Sequence, residues 1–163
     1  MSLAIVYTRA ALGIEAPLIT VEVHLSNGLP GLTMVGLPET TVKEARDRVR
    51  SALINSGYAF PAKKITINLA PADLPKEGGR YDLPIALALL VASEQLNTTR
   101  LNQYEFVGEL ALTGGLRGVP GAIPSAMEAI KAGRRIVVSS DNAAEVGLIG
   151  GSDCLVADHL QEV

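Results

Sequence analysis

Residues 64–96 read KITINLAPADLPKEGGRYDLPIALALLVASEQL, and this stretch decides the fold. Apolar and polar residues alternate over Lys64–Leu69, which predicts a strand with one buried face and one face in water. The twelve residues Ala70–Tyr81 have no periodicity, and a loop of that length inside a domain is often functional. Leu83–Leu96 predicts a helix that is apolar on nearly all sides, so we expect it to be buried. Strand, loop and helix together favour a domain that mixes sheet and helices.

The rest of the chain places strands first and interleaves helices later. Three early strands are predicted at Leu3–Tyr7, Ile19–Leu25 and Leu32–Leu37. Thr41 and Glu44 form a capping-box pattern at the start of a helix that ends near Gly57. The later elements include a predicted strand at Phe106–Leu112 and predicted helices at Pro120–Ala132 and Asn142–Ile149. We therefore predict an α/β (α+β) fold with a mixed β-sheet and packed helices, in which residues 1–163 form a single domain.

Composition excludes several classes of protein. The chain has 163 residues, of which 48% are hydrophobic and 19% charged, so it is not disordered. Its one cysteine, Cys154, rules out an intrachain disulfide and a zinc site with several cysteines. The formal charge of −3 means that any nucleic-acid contact must be a local basic patch. The longest strongly apolar run, Leu83–Ser93, has eleven residues where a membrane span needs roughly 20. We therefore predict a cytoplasmic protein with no membrane contact.

The usual motifs for ATP binding, ester hydrolysis and metal binding are absent from the sequence. None of the sixteen glycines is followed by lysine, so there is no P-loop. No Gly-x-Ser-x-Gly motif is present, and His24 and His159 lack the spacing of metal ligands. The sequence therefore predicts no catalytic residue, no metal site and no cofactor in this segment.

The loop before the buried helix concentrates the unusual residues around Gly78-Gly79. Two interpretations stay open. In one, the loop binds a substrate carbonyl, a phosphate or a partner loop beside the positive end of the helix. In the other, Asp82 is only the N-cap residue of that helix and the nearby cations are solvated. The candidate residues of a DNA or partner loop are Lys63, Lys64, Lys76 and Arg80, and the weaker alternatives on the preceding helix are Arg46 and Arg50.

Several segments resemble the catalytic domain of Lon-type proteases. They are Ile67–Pro71 with Leu74–Gly78, Val107–Gly114 with Leu116–Gly121, and Ala129–Ser139. The resemblance implies a Lon-protease-like fold, related to that of ribosomal protein S5 domain 2. A Lon protease uses a serine at the start of a helix, activated by a lysine. Here the serine position falls on Asp82 and the lysine position falls near Ala122-Ile123-Pro124, so the resemblance implies a degenerate site that is no peptidase.

A fuller resemblance, to the bacterial Mg-chelatase-like AAA+ ATPase family, covers essentially the whole chain. It is carried by the blocks Gly31–Pro38, Lys43–Leu53 and Asn68–Pro84. It implies a non-catalytic N-terminal domain, followed in the same chain by an AAA+ motor domain that uses ATP and Mg²⁺ and assembles as a homo-hexamer. It also implies ATP-driven DNA branch migration in natural transformation. Two alternatives stay open: a residual Lon-type peptidase domain, and a regulatory ATPase subunit of a Mg-chelatase.

Overall fold

One seven-stranded sheet is the central feature of the computed structural model, which describes residues 2–97, 99–148 and 153–163. With strands numbered along the chain, the order across the sheet is β3 (Gly31–Val35), β4 (Lys64–Ala70), β2 (Leu18–Ser26), β1 (Ser2–Arg9), β5 (Tyr104–Phe106), β8 (Arg135–Ser139) and β9 (Cys154–Ala157). The β4–β2 and β2–β1 pairs are antiparallel, and the other neighbouring pairs are parallel. The predicted α/β fold with a mixed sheet is therefore confirmed.

Helices and one short hairpin complete the fold. The helices are α1 (Thr40–Lys43), α2 (Ala45–Asn55), α3 (Asp82–Ala92), α4 (Ala122–Lys131) and α5 (Ala143–Val146). The hairpin pairs β6 (Glu109–Leu110) with β7 (Leu116–Arg117), outside the main sheet. Short 3₁₀ turns lie at Leu101–Gln103, Ser140–Asn142 and Leu160–Glu162. No helix in the described part of the chain is long and apolar enough to cross a membrane.

The main core lies between α3 and the antiparallel strands. Ten of the eleven residues of α3 are buried, as its apolar sequence predicts. Alternate residues of β4 contribute to the same core, and Ile65, Ile67 and Leu69 are each at most 1% exposed. A smaller apolar cluster packs α4 against β8 on another part of the sheet. The start of α3 is thereby held in a fixed position relative to α2 and the hairpin.

Two predicted helix ends are wrong because the local backbone takes a different course. The buried helix stops at Ala92 instead of Leu96, and Glu94 follows it with a positive φ of 61°. The predicted capping box at Thr41 does not form: Glu39 is the N-cap residue, Thr41 lies inside α1, and the Thr41 hydroxyl accepts a hydrogen bond from the amide of Gly78. This contact already brings the glycine loop against α1.

Two later predictions also need correction. The predicted strand Phe106–Leu112 is interrupted, because Gly108 directs its backbone groups to the start of α3 instead of to another strand. Its amide donates to Arg80 and its carbonyl accepts from Leu83. The predicted helix Asn142–Ile149 shortens to a 3₁₀ turn followed by α5, and its last predicted residue lies outside the described residues.

Candidate functional site

The candidate site lies where α3 begins, at the position that resembles the serine of a Lon-type protease. Asp82 is the first residue of α3 and is 0% exposed. Its own amide donates to the carbonyl of Gly79, and the amide of Leu83 donates to the carbonyl of Gly108. Pro84 has no amide hydrogen, so backbone carbonyls already satisfy this end of the helix. The interpretation of Asp82 as an N-cap is therefore wrong: its side chain makes no capping hydrogen bond.

The carboxylate of Asp82 instead forms a buried ion pair with Arg48 of α2. Arg48 Nε donates to Oδ2 at 2.6 Å, and Arg48 Nη2 donates to Oδ1 at 3.1 Å. The amide of Leu110 in β6 also donates to Oδ2, at 3.1 Å. Burial raises the pKa of Asp82 to about 6, while the hydrogen bonds from Arg48 and Leu110 lower it. The hydrogen bond to Asp82 in turn raises the pKa of Arg48. At neutral pH the pair is ionised and joins α2, α3 and β6.

Arg80 fills the neighbouring space, toward the position that would hold the lysine of a Lon-type protease. The residue is 4% exposed. Its Nε donates to the carbonyl of Arg9 at 2.9 Å, Nη1 to the carbonyl of Pro120 at 2.7 Å, and Nη2 to Ser125 Oγ at 2.8 Å. Burial lowers the pKa of Arg80, but a guanidinium still stays protonated at neutral pH. This group therefore supplies no base for a nucleophile.

Lys76 is also an internal residue. It is 0% exposed, and its Nζ donates to the carbonyl of Gly36 at 2.5 Å and to the carbonyl of Pro71. Burial lowers the pKa of Lys76. The predicted DNA loop needs correction at Lys76 and Arg80, because both cationic groups are buried and bonded to carbonyls instead of facing a phosphate. They anchor the loop to neighbouring segments of the fold.

A cleft of about 430 Å³ lies beside this network and is lined by the Gly78-Gly79 loop. Three carboxylates line it, from Glu39, Glu77 and Glu109. A Cβ atom on Gly79 would lie 2.2 Å from Glu109 Oε1, so glycine allows this carboxylate to approach the loop closely. Arg80 also lines the cleft, but its three nitrogens already donate to protein oxygens. The three carboxylates outnumber this one cation, so the cleft is unfavourable for a phosphate and suits a neutral or cationic group.

The two remaining candidate cations lie elsewhere, at the start of β4. Lys63 and Lys64 are both exposed. Lys63 lines a groove of about 250 Å³ together with Arg46 and Arg50 of α2. Lys64 does not line this groove. Lys63 therefore lies apart from Lys76 and Arg80. It lines the same groove as Arg46 and Arg50, the two residues that the sequence predicted as the weaker alternative.

Arg48 is the site residue that sequence reasoning missed. It is one of several basic residues along α2, and nothing in its spacing distinguishes it from Arg46 or Arg50. The distinguishing signal is its partner, because Asp82 lies 34 residues further along the chain. Within the described residues, no group of three or more His, Cys, Asp or Glu side chains is arranged to hold a metal ion.

Fold and site together define a class: a mixed α/β domain with a buried Asp–Arg ion pair at the start of its buried helix. The family model described as subunit ChlI of Mg-chelatase matches residues 21–142. The chain therefore belongs to this Mg-chelatase ChlI family.

Similar proteins match all or nearly all of the chain. The chain is 79% identical over 163 residues to the protein YifB of Escherichia coli K12, and 60% identical over 163 residues to the competence protein ComM of Haemophilus influenzae Rd. It is 38% identical over 154 residues, 94% of its length, to an uncharacterized protein of Mycobacterium tuberculosis H37Rv. The matched segments make up 32%, 32% and 31% of these relatives, so the chain spans about a third of their length.

Proposed function

We propose that this chain acts as a non-catalytic domain of a longer Mg-chelatase-like AAA+ ATPase that moves DNA branch points during natural transformation. Membership in the ChlI family supports the link to an ATPase. The name of the 60% identical relative, competence protein ComM, supports the link to DNA uptake. The site geometry supports a role in binding and assembly instead of chemistry.

The observation that carries the non-catalytic assignment is the Asp82–Arg48 pair. A nucleophile must be reachable by substrate and must lie beside a base that activates it. Asp82 is fully buried, and both of its oxygens accept hydrogen bonds at 3.1 Å or less. The cation near the lysine position is the guanidinium of Arg80, which is no base. A residual Lon-type peptidase is therefore disfavoured.

ATP and Mg²⁺ do not fit this chain and are assigned to the motor domain. No glycine of the sequence is followed by lysine, and the cleft at the glycine loop is lined by three glutamates that would repel a triphosphate. We propose the motor domain of the same chain, DNA and further copies in a homo-hexamer as the partners. A cytoplasmic location follows from this role.

ATP hydrolysis by the full-length protein, measured with and without branched DNA, tests the proposal. We expect branched DNA to raise the rate, and unbranched duplex of the same composition to raise it less. The 163-residue chain alone serves as the control, and it should hydrolyse neither ATP nor casein above a buffer blank. Casein turnover that survives repurification would instead support the residual peptidase.

A second candidate is a regulatory ATPase subunit of a Mg-chelatase, which the description of the family favours. The same assay separates the two functions. A rate that does not respond to DNA, but rises with a porphyrin and its chelatase partner subunits, would replace the DNA role with the chelatase role.

A further inference from the structure

We propose that the groove formed by Arg46, Arg50 and Lys63 binds the phosphodiester backbone of DNA. This basic groove lies between α2 and the segment that leads into β4. The inference deepens the proposed function, on which it rests, by assigning the DNA contact of this domain to one surface. It also moves that contact away from the glycine loop.

The basic groove is formed by one face of α2 and by the segment that leads into β4. Arg46 and Arg50 are four residues apart in α2, so they share one face of the helix. Lys63 lines the same groove and lies on the segment that also contributes Phe60. The guanidinium carbon of Arg50 lies 5.8 Å from the centre of the Phe60 ring, an arrangement that keeps the charge over an aromatic face. Three cations thus line a groove of about 250 Å³.

The charges of the basic groove are available to a ligand. Arg46, Arg50 and Lys63 are exposed, and none of them takes part in a salt bridge among the described residues. No carboxylate lines the groove. Asp47 directly follows Arg46 in α2, but it does not line the groove. In a chain of net charge −3, three cations without a lining carboxylate form the local patch that phosphate binding requires.

The lining favours nucleic acid over other anionic partners. Its walls include Phe60, Pro30 and Pro61, which offer apolar surface to sugars and bases, while the cations face the phosphates. A concave groove fits a chain-like polyanion better than it fits the flat surface of a bilayer. An anionic membrane is the competing occupant and enters the test as a separate probe.

The test compares two triple variants that remove the same charge. The groove variant carries Arg46→Gln, Arg50→Gln and Lys63→Gln. The matched control removes three other exposed cations that do not line the groove and are not candidate DNA residues, by Lys43→Gln, Arg117→Gln and Lys131→Gln. Both are made in the 163-residue chain and in the full-length protein, and thermal melting checks that each variant folds.

Fluorescence anisotropy with a labelled single strand and a labelled duplex gives the affinity at several salt concentrations. We expect the groove variant to bind at least about tenfold more weakly at low salt, and its log–log salt slope to fall by about one per replaced residue. The control should change affinity by less than about threefold, through net charge alone. The single strand and the duplex identify which form of DNA supplies the phosphodiester backbone.

The other outcomes overturn either the inference or the proposed function, and they can be told apart. Equal weakening by both variants would mean that binding follows net charge and not the groove. Binding of the unmodified chain to phosphatidylglycerol vesicles but not to DNA would assign the groove to membranes. If DNA stimulates the full-length ATPase but the groove variant keeps full DNA affinity, the groove fails while the proposed function stands. If DNA leaves the ATPase unchanged, the proposed function fails, and the affinity measurements still decide whether the groove binds DNA.

Discussion

Replacing Arg48 by methionine removes the guanidinium from the buried pair and keeps most of the aliphatic stem. Asp82 then stays buried with one hydrogen bond, from the amide of Leu110, in place of three. Removing one partner of a buried pair costs about 3–5 kcal/mol. The side chain of Arg48 is 21% exposed, so water can partly replace it, and we expect about 3 kcal/mol. At about 2–4 °C per kcal/mol for a domain of this size, the melting temperature should fall by about 6–12 °C.

The same substitution should cost less in acid. The folded pKa of Asp82, about 6, lies above its value of 3.8 in the unfolded chain. The carboxyl group therefore adds stability at low pH, and this stability is lost as the pH rises through about 6. Without Arg48 the folded pKa rises further, so the variant loses stability relative to the unmodified protein as the pH rises above about 6. At about pH 5 both proteins hold a neutral Asp82, and the difference between them should shrink.

Differential scanning calorimetry at about pH 5 and about pH 8 measures both effects. Arg46→Met, on the exposed surface of the same helix, is the matched control and should change stability by less than about 0.5 kcal/mol. A melting temperature within 2 °C of the unmodified protein at high pH would refute the reasoning, as would an equal loss at both pH values.

Four further substitutions test other parts of the site. Gly36→Ala should prevent folding, because its Cβ would lie 2.1 Å from the backbone oxygen of Leu69. Gly79→Ala should only lower the stability of the fold, because there the obstacle is the flexible end of a glutamate side chain. Soluble yield and circular dichroism compare the two variants. Lys76→Met should lower the urea midpoint by an amount equivalent to about 2–3 kcal/mol, because two carbonyls lose a charged donor, and an unchanged midpoint would contradict the internal role of this lysine. Asp82→Ser should yield no casein hydrolysis, because the nearby cation is a guanidinium, and turnover above the unmodified chain would show that a base is present.

Local patterns predicted the main framework well. The alternation over Lys64–Leu69 and the uniformly apolar Leu83–Leu96 correspond to β4 and the buried α3, because each pattern reports burial directly. The resemblance to the Mg-chelatase-like family, carried by long blocks of sequence, is likewise confirmed by the family match. The ends of helices and strands were less predictable, since they depend in part on hydrogen bonds between distant segments, such as the one from Gly78 to Thr41.

The candidate site was less accessible to sequence reasoning for the same reason. Asp82 preceding an apolar helix has the local pattern of an N-cap, but carbonyls of Gly79 and Gly108 fill that role. Lys76 and Arg80 in a glycine loop have the pattern of solvated cations, but the fold surrounds them with carbonyls. Whether a polar residue is buried depends on which distant segment packs on it, and one sequence does not contain that information.

Movement of a DNA branch point by the full-length protein tests the central claim most directly. A labelled three-stranded junction, with homologous arms and a short heterologous block against spontaneous migration, reports strand transfer on a gel. We predict transfer that requires ATP and protein, that is lost in the groove variant, and that is kept in the matched control with Lys43, Arg117 and Lys131 replaced. ATP hydrolysis without any strand transfer by the unmodified protein, on a junction that it binds, would contradict the account.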